Sequence, residues 1–204
     1  MTEAIDDAGF LPPISPDEPC GPDLDVEGDP DFLNFIASTE GQLPDKSFFS
    51  FKREDVDFNA AVATGERLLA RTQDLRLLVL LAKLAILNRD VHGFALRCAT
   101  MARLLADRWD DVHPRGEDGD FTTRTAPLFA LNDTPAVILP LQYAPLVEMA
   151  RDTVSFRAQM AATGEVKLRE IRTDDDKAPE VERLPNAGAI DRVLFNVEIG
   201  RAHV

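Results

Sequence analysis
The amino-acid sequence predicts a mainly α fold: a helical bundle with an extended, proline-rich N-terminal arm and a small β-hairpin near residues 165–183. Three observations predict it. Apolar residues between 57 and 110 recur at helical spacing in three blocks separated by short polar breaks. Prolines crowd residues 12–22, where no regular helix can form. Beyond residue 165 the chain becomes charged and alternates weakly, as short strands do.

The arm carries few apolar residues, and Leu11, Ile14 and Leu24 are the ones able to pin it to a helical body. Residues 30–38 read as a short helix bearing Phe32, Leu33, Phe35 and Ile36. Residues 39–54, with Gly41, Pro44 and the run Phe48-Phe49-Ser50-Phe51, read as a loop with aromatic anchors. The first long helix spans 57–70: Asp57 is a good N-cap, and Phe58, Ala61, Val62, Gly65, Leu68 and Leu69 share one face. Arg71-Thr72-Gln73 is a short connection, and Asp74 then caps a helix over 75–88. That helix is apolar nearly all round, with only Arg76 and Lys83 marking a wet stripe, so it belongs at the bundle centre. The brief link makes the two helices antiparallel neighbours.

Arg89 to Gly93 reads as a turn, and a third helix follows over 93–110. Phe94, Cys98, Met101, Leu104, Leu105 and Trp109 line its buried side, with Arg97, Arg103 and Asp107 facing out. His113-Pro114 closes it. Thr122 or Thr123 can cap a fourth helix through Leu131, with Pro127 tolerable only near the first turn. Pro135, Pro140 and Pro145 make 132–152 a buried irregular or short extended segment. Thr153 opens a short helix to Ala162. Val166 to Ile171 is one strand of the hairpin, with Asp174-Asp175-Asp176 at its turn, and 189–196 begins a further helix.

The organisation expected from these elements is fourfold. Residues 1–56 form an acidic arm and loop packed on the body, and 57–162 the helical core. Residues 163–198 are a charged segment and the start of another helix. Ile199-Gly200-Arg201-Ala202-His203-Val204 is what a common sequencing-adapter end would encode, so 199–204 reads as a non-native tail.

Hydrophobic residues make up 45 % of the 204, enough for a real core. The net charge is −14, and residues 1–57 hold 15 acids against Lys46, Lys52 and Arg53, leaving the remainder nearly balanced. Concentrated acidity argues against nucleic acid and against anionic lipid. It is either a solvated face or a docking surface for a basic partner. Two cysteines, Cys20 and Cys98, do not make a disulfide framework. The first residues lack a signal-peptide pattern, and the longest apolar stretch, Leu77 to Leu87, is well short of the roughly 20 residues of a membrane span. A cytoplasmic location without membrane insertion is expected.

No catalytic, cofactor-binding or metal-ligating residue is assigned. The histidines are His92, His113 and His203, none with a partner at ligand spacing. His113 reads as a helix-terminal histidine favoured by the helix dipole. Glu117-Asp118-Gly119-Asp120 lacks the alternating acids of a calcium loop. Cys20 has no nearby cation in sequence and reads as a turn cysteine packed on the body. The residues left as candidate protein contacts are Asp17, Asp23 and Asp25 in the arm and Phe48, Phe49 and Phe51 in the loop. The phenylalanines are either core anchors or an exposed patch.

Three stretches together carry a resemblance to a known family. The arm Ile14-Ser15-Pro16-Asp17-Glu18-Pro19-Cys20-Gly21-Pro22-Asp23-Leu24 resembles the opening signature of the ImpA-type N-terminal domain of type VI secretion TssA proteins. The junction Ala70 to Arg76 resembles the link between that family's first two long helices. The run Leu104-Leu105-Ala106-Asp107-Arg108-Trp109-Asp110-Asp111-Val112-His113-Pro114, followed by Asp118-Gly119-Asp120 and Arg124, is the third match. Phe58 stands where family members often carry tryptophan, and 163–186 is longer and more charged than the family pattern. The resemblance implies a non-enzymatic, cytoplasmic assembly component that takes no cofactor. It also implies baseplate, sheath or tube partners, and self-association mainly through a C-terminal region absent here. The alternative reading is an unrelated helical adaptor binding a basic protein.

Overall fold
The computed structural model describes residues 5, 9–149, 152–171 and 180–193. The chain divides into two compact units, residues 1–140 and 141–204.

In the first unit the first four α-helices each begin at an aspartate cap. Asp29 accepts from Phe32 N at 2.9 Å and opens α1 (Pro30–Glu40), with Pro30 in the first turn, where its missing N–H is no loss. After two single-turn 3₁₀ segments, Phe48–Ser50 and Arg53–Asp55, Asp57 accepts from Ala60 N at 3.0 Å to open α2 (Phe58–Leu69). Asp74 opens α3 (Leu75–Leu87) and Asp90 opens α4 (Val91–Asp107). Phe58, Gly65, Leu68 and Leu69 of α2 are buried, as their spacing predicts. Every residue of α3 except Arg76 is buried, which puts this helix at the centre of the unit. The core gathers Phe32 and Phe35 of α1, the α2 stripe, the α3 leucines, and Met101 and Leu104 of α4.

Several expectations are corrected. α4 starts at Val91, two residues earlier than expected, because Asp90 is its cap and not part of a turn: its carboxylate accepts from Gly93 N at 2.8 Å. Arg97 is buried, not exposed. Its Nη1 donates to Gly93 O at 3.1 Å and its Nη2 to Glu66 at 3.4 Å, while Nε is buried without a hydrogen-bond partner. Lys83 is not on a wet stripe but 7 % exposed, with Nζ 2.9 Å from Asp133. Trp109 lies beyond the end of α4 and is 42 % exposed, its ring given to Arg124 instead of the core. α5 (Thr122–Phe129) stops short of Leu131 and holds Pro127 past its first turn.

Residues 134–143 are helical, not irregular: a π-turn over Thr134–Ile138 leads into α6 (Leu139–Tyr143). Pro135 falls at the start of the turn, a position that needs no N–H donor, and Pro140 is the second residue of α6.

The second unit has its own small core of Val154, Ala158, Ile190 and Val193. β1 (Pro145–Met149) pairs antiparallel with β2 (Asp152–Ser155), with Val147 opposite Val154. Thr153 therefore lies in a strand, and Ser155 caps α7 (Phe156–Ala162) by accepting from Ala158 N at 3.2 Å. β3 (Glu170–Ile171) and β4 (Glu180–Val181) form the second antiparallel pair, the expected hairpin. The expected Asp174-Asp175-Asp176 turn and the 199–204 tail lie outside the described residues. Residues 187–193 are helical. Glu182 is buried and ties this unit together: it accepts from Arg157 Nη2 at 2.6 Å, Tyr143 Oη at 2.5 Å and Arg169 N at 2.8 Å. Among the described residues no helix is long and apolar enough to cross a membrane.

Candidate functional site
The arm is folded on itself before it meets the body. Ile14 N donates to Pro19 O at 2.9 Å, Glu18 N to Ser15 Oγ at 2.9 Å and Gly21 N to Glu18 O at 3.0 Å. These turns bring Cys20 and Gly21 against the α2–α3 junction. Gly21 has φ +68°, and a Cβ there would lie 2.4 Å from Arg71 O, so only glycine fits. Cys20 is buried, and burial pushes its thiol up to about 11, the opposite of a reactive thiolate.

The junction residues then clamp the arm. Gln73 N donates to Cys20 O at 2.8 Å and Gln73 Nε2 to Pro12 O at 2.7 Å. Thr72 Oγ1 donates to Pro22 O at 2.7 Å, and Arg108 Nη2 to Leu11 O at 2.9 Å. The 109–114 loop closes the other side. His113 N donates to Gln73 O at 3.1 Å, and His113 O accepts from Leu75 N at 2.9 Å, a short parallel bridge. The His113–Pro114 peptide bond is cis. His113 is thus not a helix terminus. It is 2 % exposed, with Nε2 2.8 Å from Gly21 O and Nδ1 3.5 Å from Asp23. A carbonyl only accepts, so Nε2 carries a proton.

The electrostatics follow from this packing. Burial disfavours the His113 cation, but Asp23 and the Gly21 carbonyl outweigh it and raise the imidazole above its ordinary value. Burial also works against the Asp23 carboxylate, yet His113 and Arg76 hold it well below the usual carboxylate range. Arg76 is the hub. It meets Asp74 at 2.6 Å and Asp23 at 3.0 Å, also pairs with Asp25, and lies 5.2 Å from the Phe32 ring centroid. Burial opposes its charge and these carboxylates more than restore it. Arg124 locks the loop from below. It donates to Trp109 O at 2.6 Å, Pro114 O at 2.9 Å and Val112 O at 3.1 Å, and stacks on Trp109 at 4.5 Å.

Of the sequence-derived contact candidates, Asp23 and Asp25 meet on Arg76, while Asp17 is exposed further up the arm. Phe48 and Phe51 pack against the core in a separate loop, and Phe49 is 44 % exposed with its ring edge-on to Phe48. The structure does not bring the aspartates and phenylalanines into one cluster. Reading the sequence missed the clamp residues Gln73, His113 and Arg124, whose partners are backbone carbonyls with no sequence signature. Among the described residues no three His, Cys, Asp or Glu side chains are placed to hold a metal ion.

The geometry defines a class: a helical domain whose N-terminal arm is bolted by polar contacts onto a helix junction and a loop. The chain belongs to the family described as ImpA, N-terminal, type VI secretion system, which it matches over residues 11–133. That match opens at Leu11, whose carbonyl Arg108 holds, and closes at Asp133, the partner of Lys83. The chain is similar to the type VI secretion system component TssA1 of Pseudomonas aeruginosa, 32 % identical over 162 residues, which cover 76 % of this chain and 46 % of that protein. It therefore spans about half of that relative's length. The fold is similar to the N-terminal domain, including the conserved ImpA_N region, of the TssA component from Burkholderia cenocepacia. The TM-score is 0.60 at 26 % identity, covering 92 % of this chain and 70 % of that one.

Proposed function
We propose that this chain is a non-catalytic docking domain of a type VI secretion assembly component, acting in the cytoplasm on baseplate, tube or sheath proteins. One observation carries the reading: all three stretches that resemble the family are consumed in the clamp that fixes the arm. What they maintain is a rigid acidic surface, pre-organised for a partner. In this reading Asp17 and Phe49, exposed and outside the clamp, make direct contacts. Asp23, Asp25, Phe48 and Phe51 hold the surface in shape.

The test is a pull-down with the 204-residue chain as bait, against lysates of the source bacterium with and without its type VI secretion genes, read by mass spectrometry. Enrichment of baseplate, tube or sheath proteins from the first lysate alone supports the reading. Asp17→Lys and Phe49→Ala should each reduce that capture. Capture of proteins unrelated to secretion, equally from both lysates, overturns it.

A further inference from the structure
We propose that a groove on the first unit, floored by α3, receives an amphipathic helix with an apolar stripe and lysine- or arginine-rich flanks; this rests on the docking reading and specifies its surface and its partner's chemistry. The groove has a volume of about 890 Å³. Its floor is Arg76, Val79, Leu80 and Lys83, positions i, i+3, i+4 and i+7, so it follows α3 for two turns, roughly 10 Å. One wall is the arm turn and the end of α1, including Ile36 and Leu43. The other is α5 and its cap, through Thr123, Ala126, Pro127 and Ala130, again at i, i+3, i+4 and i+7. The short side chains of that wall leave room for a neighbouring helix to lie close. Val26 at the lip is 83 % exposed, an apolar side chain that no packing in this unit uses.

Charge selects the occupant. The floor cations are spent: Arg76 on Asp23, Asp25 and Asp74, and Lys83 on Asp133. The rim carries Glu18, Glu27, Glu40 and Glu117, distributed over both walls, and among the described residues none of the four is in an ion pair. Arg115, also on the rim, faces Asp111 at 3.8 Å. A groove rimmed by unpaired carboxylates repels nucleic acid and anionic lipid, and it repels a second copy of this chain, which carries a net charge of −14. The lining is made of helices and a turn, with no strand edge for an extended peptide to pair with. A basic amphipathic helix satisfies both the apolar groups of the lip and walls, Val26, Ile36, Ala126 and Ala130, and the acidic rim.

The experiment uses the full chain and a fluorescein-labelled synthetic peptide of about 18 residues, leucine at i, i+3, i+4 and i+7 and lysine on the flanks. A scrambled peptide of the same composition controls for charge alone. Anisotropy titrations should show the striped peptide binding at least about tenfold tighter than the scrambled one. The surface triple variant Glu18→Lys, Glu40→Lys, Glu117→Lys should weaken it about tenfold, and so should Ala126→Trp, which fills the groove and leaves the charge unchanged. Reversing Glu54, Asp55 and Asp107, exposed acids of the first unit that do not line the groove, should change affinity by less than about twofold. Amide shifts in ¹⁵N spectra should fall on Val26, Leu80, Ala126 and Ala130. Equal binding of the scrambled peptide, an equal loss in the off-groove variant, or wild-type binding by Ala126→Trp overturns the proposal. The two readings fail separately. Groove variants that still capture secretion proteins from lysate sink the groove and spare the docking role. A wild-type chain that captures only proteins unrelated to secretion, equally from both lysates, sinks the docking role, whatever the peptide does.

Discussion
The clamp concentrates its dependence on a few side chains whose replacement has calculable consequences. Gly21→Ala puts a methyl where Arg71 O stands 2.4 Å away and forces an L-residue to φ +68°, so it should destabilise the chain by about 1–3 kcal/mol in urea denaturation. Arg124→Lys should cost a similar ~1–3 kcal/mol, because one ammonium cannot span three carbonyls that a planar guanidinium reaches at once. Trp109, the single tryptophan, stacks on Arg124 and reports the change directly in its emission. His113 and Asp23 set opposite pH limits. A raised imidazole value means the folded state holds the proton more tightly. That stabilisation is complete below the ordinary value of about 6.5 and is lost as pH rises through the raised one. Asp23, held low, contributes above about 3.9 and loses its contribution as pH falls. The urea midpoint should therefore drop as pH rises above about 6.5, and His113→Asn should flatten that limb. A parallel drop in both proteins would assign the effect to another group. None of this was visible in the sequence, where His113 reads as a helix end. Its partner Gly21 is 92 residues away, and a backbone acceptor leaves no mark on spacing.

The helices were legible where cap and periodicity agree. Asp57 and Asp74 sit directly before apolar runs, and α2 and α3 begin where those caps place them. The start of α4 was misplaced because Asp90 precedes Val91, His92 and Gly93, a weak opening that reads as a turn. Arg97 falls at the same helical phase as Gly93, Thr100, Met101 and Leu104, so the period did place it inside, and its charge argued falsely for solvent. The short elements after residue 132 were hidden because prolines there mark starts, not interruptions. At the bundle centre, Leu81 is fully buried, and Leu81→Ala should cost about 2–5 kcal/mol. Its contact with α2 provides a sharper test. A Cβ on Gly65 would lie 2.7 Å from Leu81 Cδ2 and 3.0 Å from Phe35 Cζ. Gly65→Ala alone should therefore lose about 1 kcal/mol or more to overpacking despite alanine's better helix propensity. In the Leu81→Ala background the leucine atoms are gone and only Phe35 Cζ stays close, so the same substitution should cost less than it does in the wild-type chain. Denaturation of the four proteins of this double-mutant cycle measures the coupling, and strict additivity would mean the two helices do not share that contact.

Across the whole chain, the clamp joins segments that the sequence keeps up to 97 residues apart, so the three family-like stretches could be recognised separately without revealing that they meet. The charge distribution was legible from the start, since counting needs no geometry: the net charge is −14, and the first quarter of the chain holds most of it. What the fold adds is placement. Part of that acidity is cancelled by Arg71, Arg76 and His113 inside the clamp, and part is left on the groove rim at Glu18, Glu27 and Glu40. Uncompensated rim charge acts over a screening length of about 10 Å at 0.1 M salt, so it governs encounter more than the docked state. The apolar groups of the lip and walls, insensitive to salt, govern how long a partner stays. Stopped-flow association of the basic helical peptide should therefore slow about tenfold or more between low salt and about 0.5 M, while its dissociation rate stays within about twofold. The Glu18→Lys, Glu40→Lys, Glu117→Lys variant should associate slowly at low salt and lose most of that salt dependence. If dissociation accelerates with salt in place of slower association, close ion pairs hold the partner, and the carboxylates are contacts instead of a steering field.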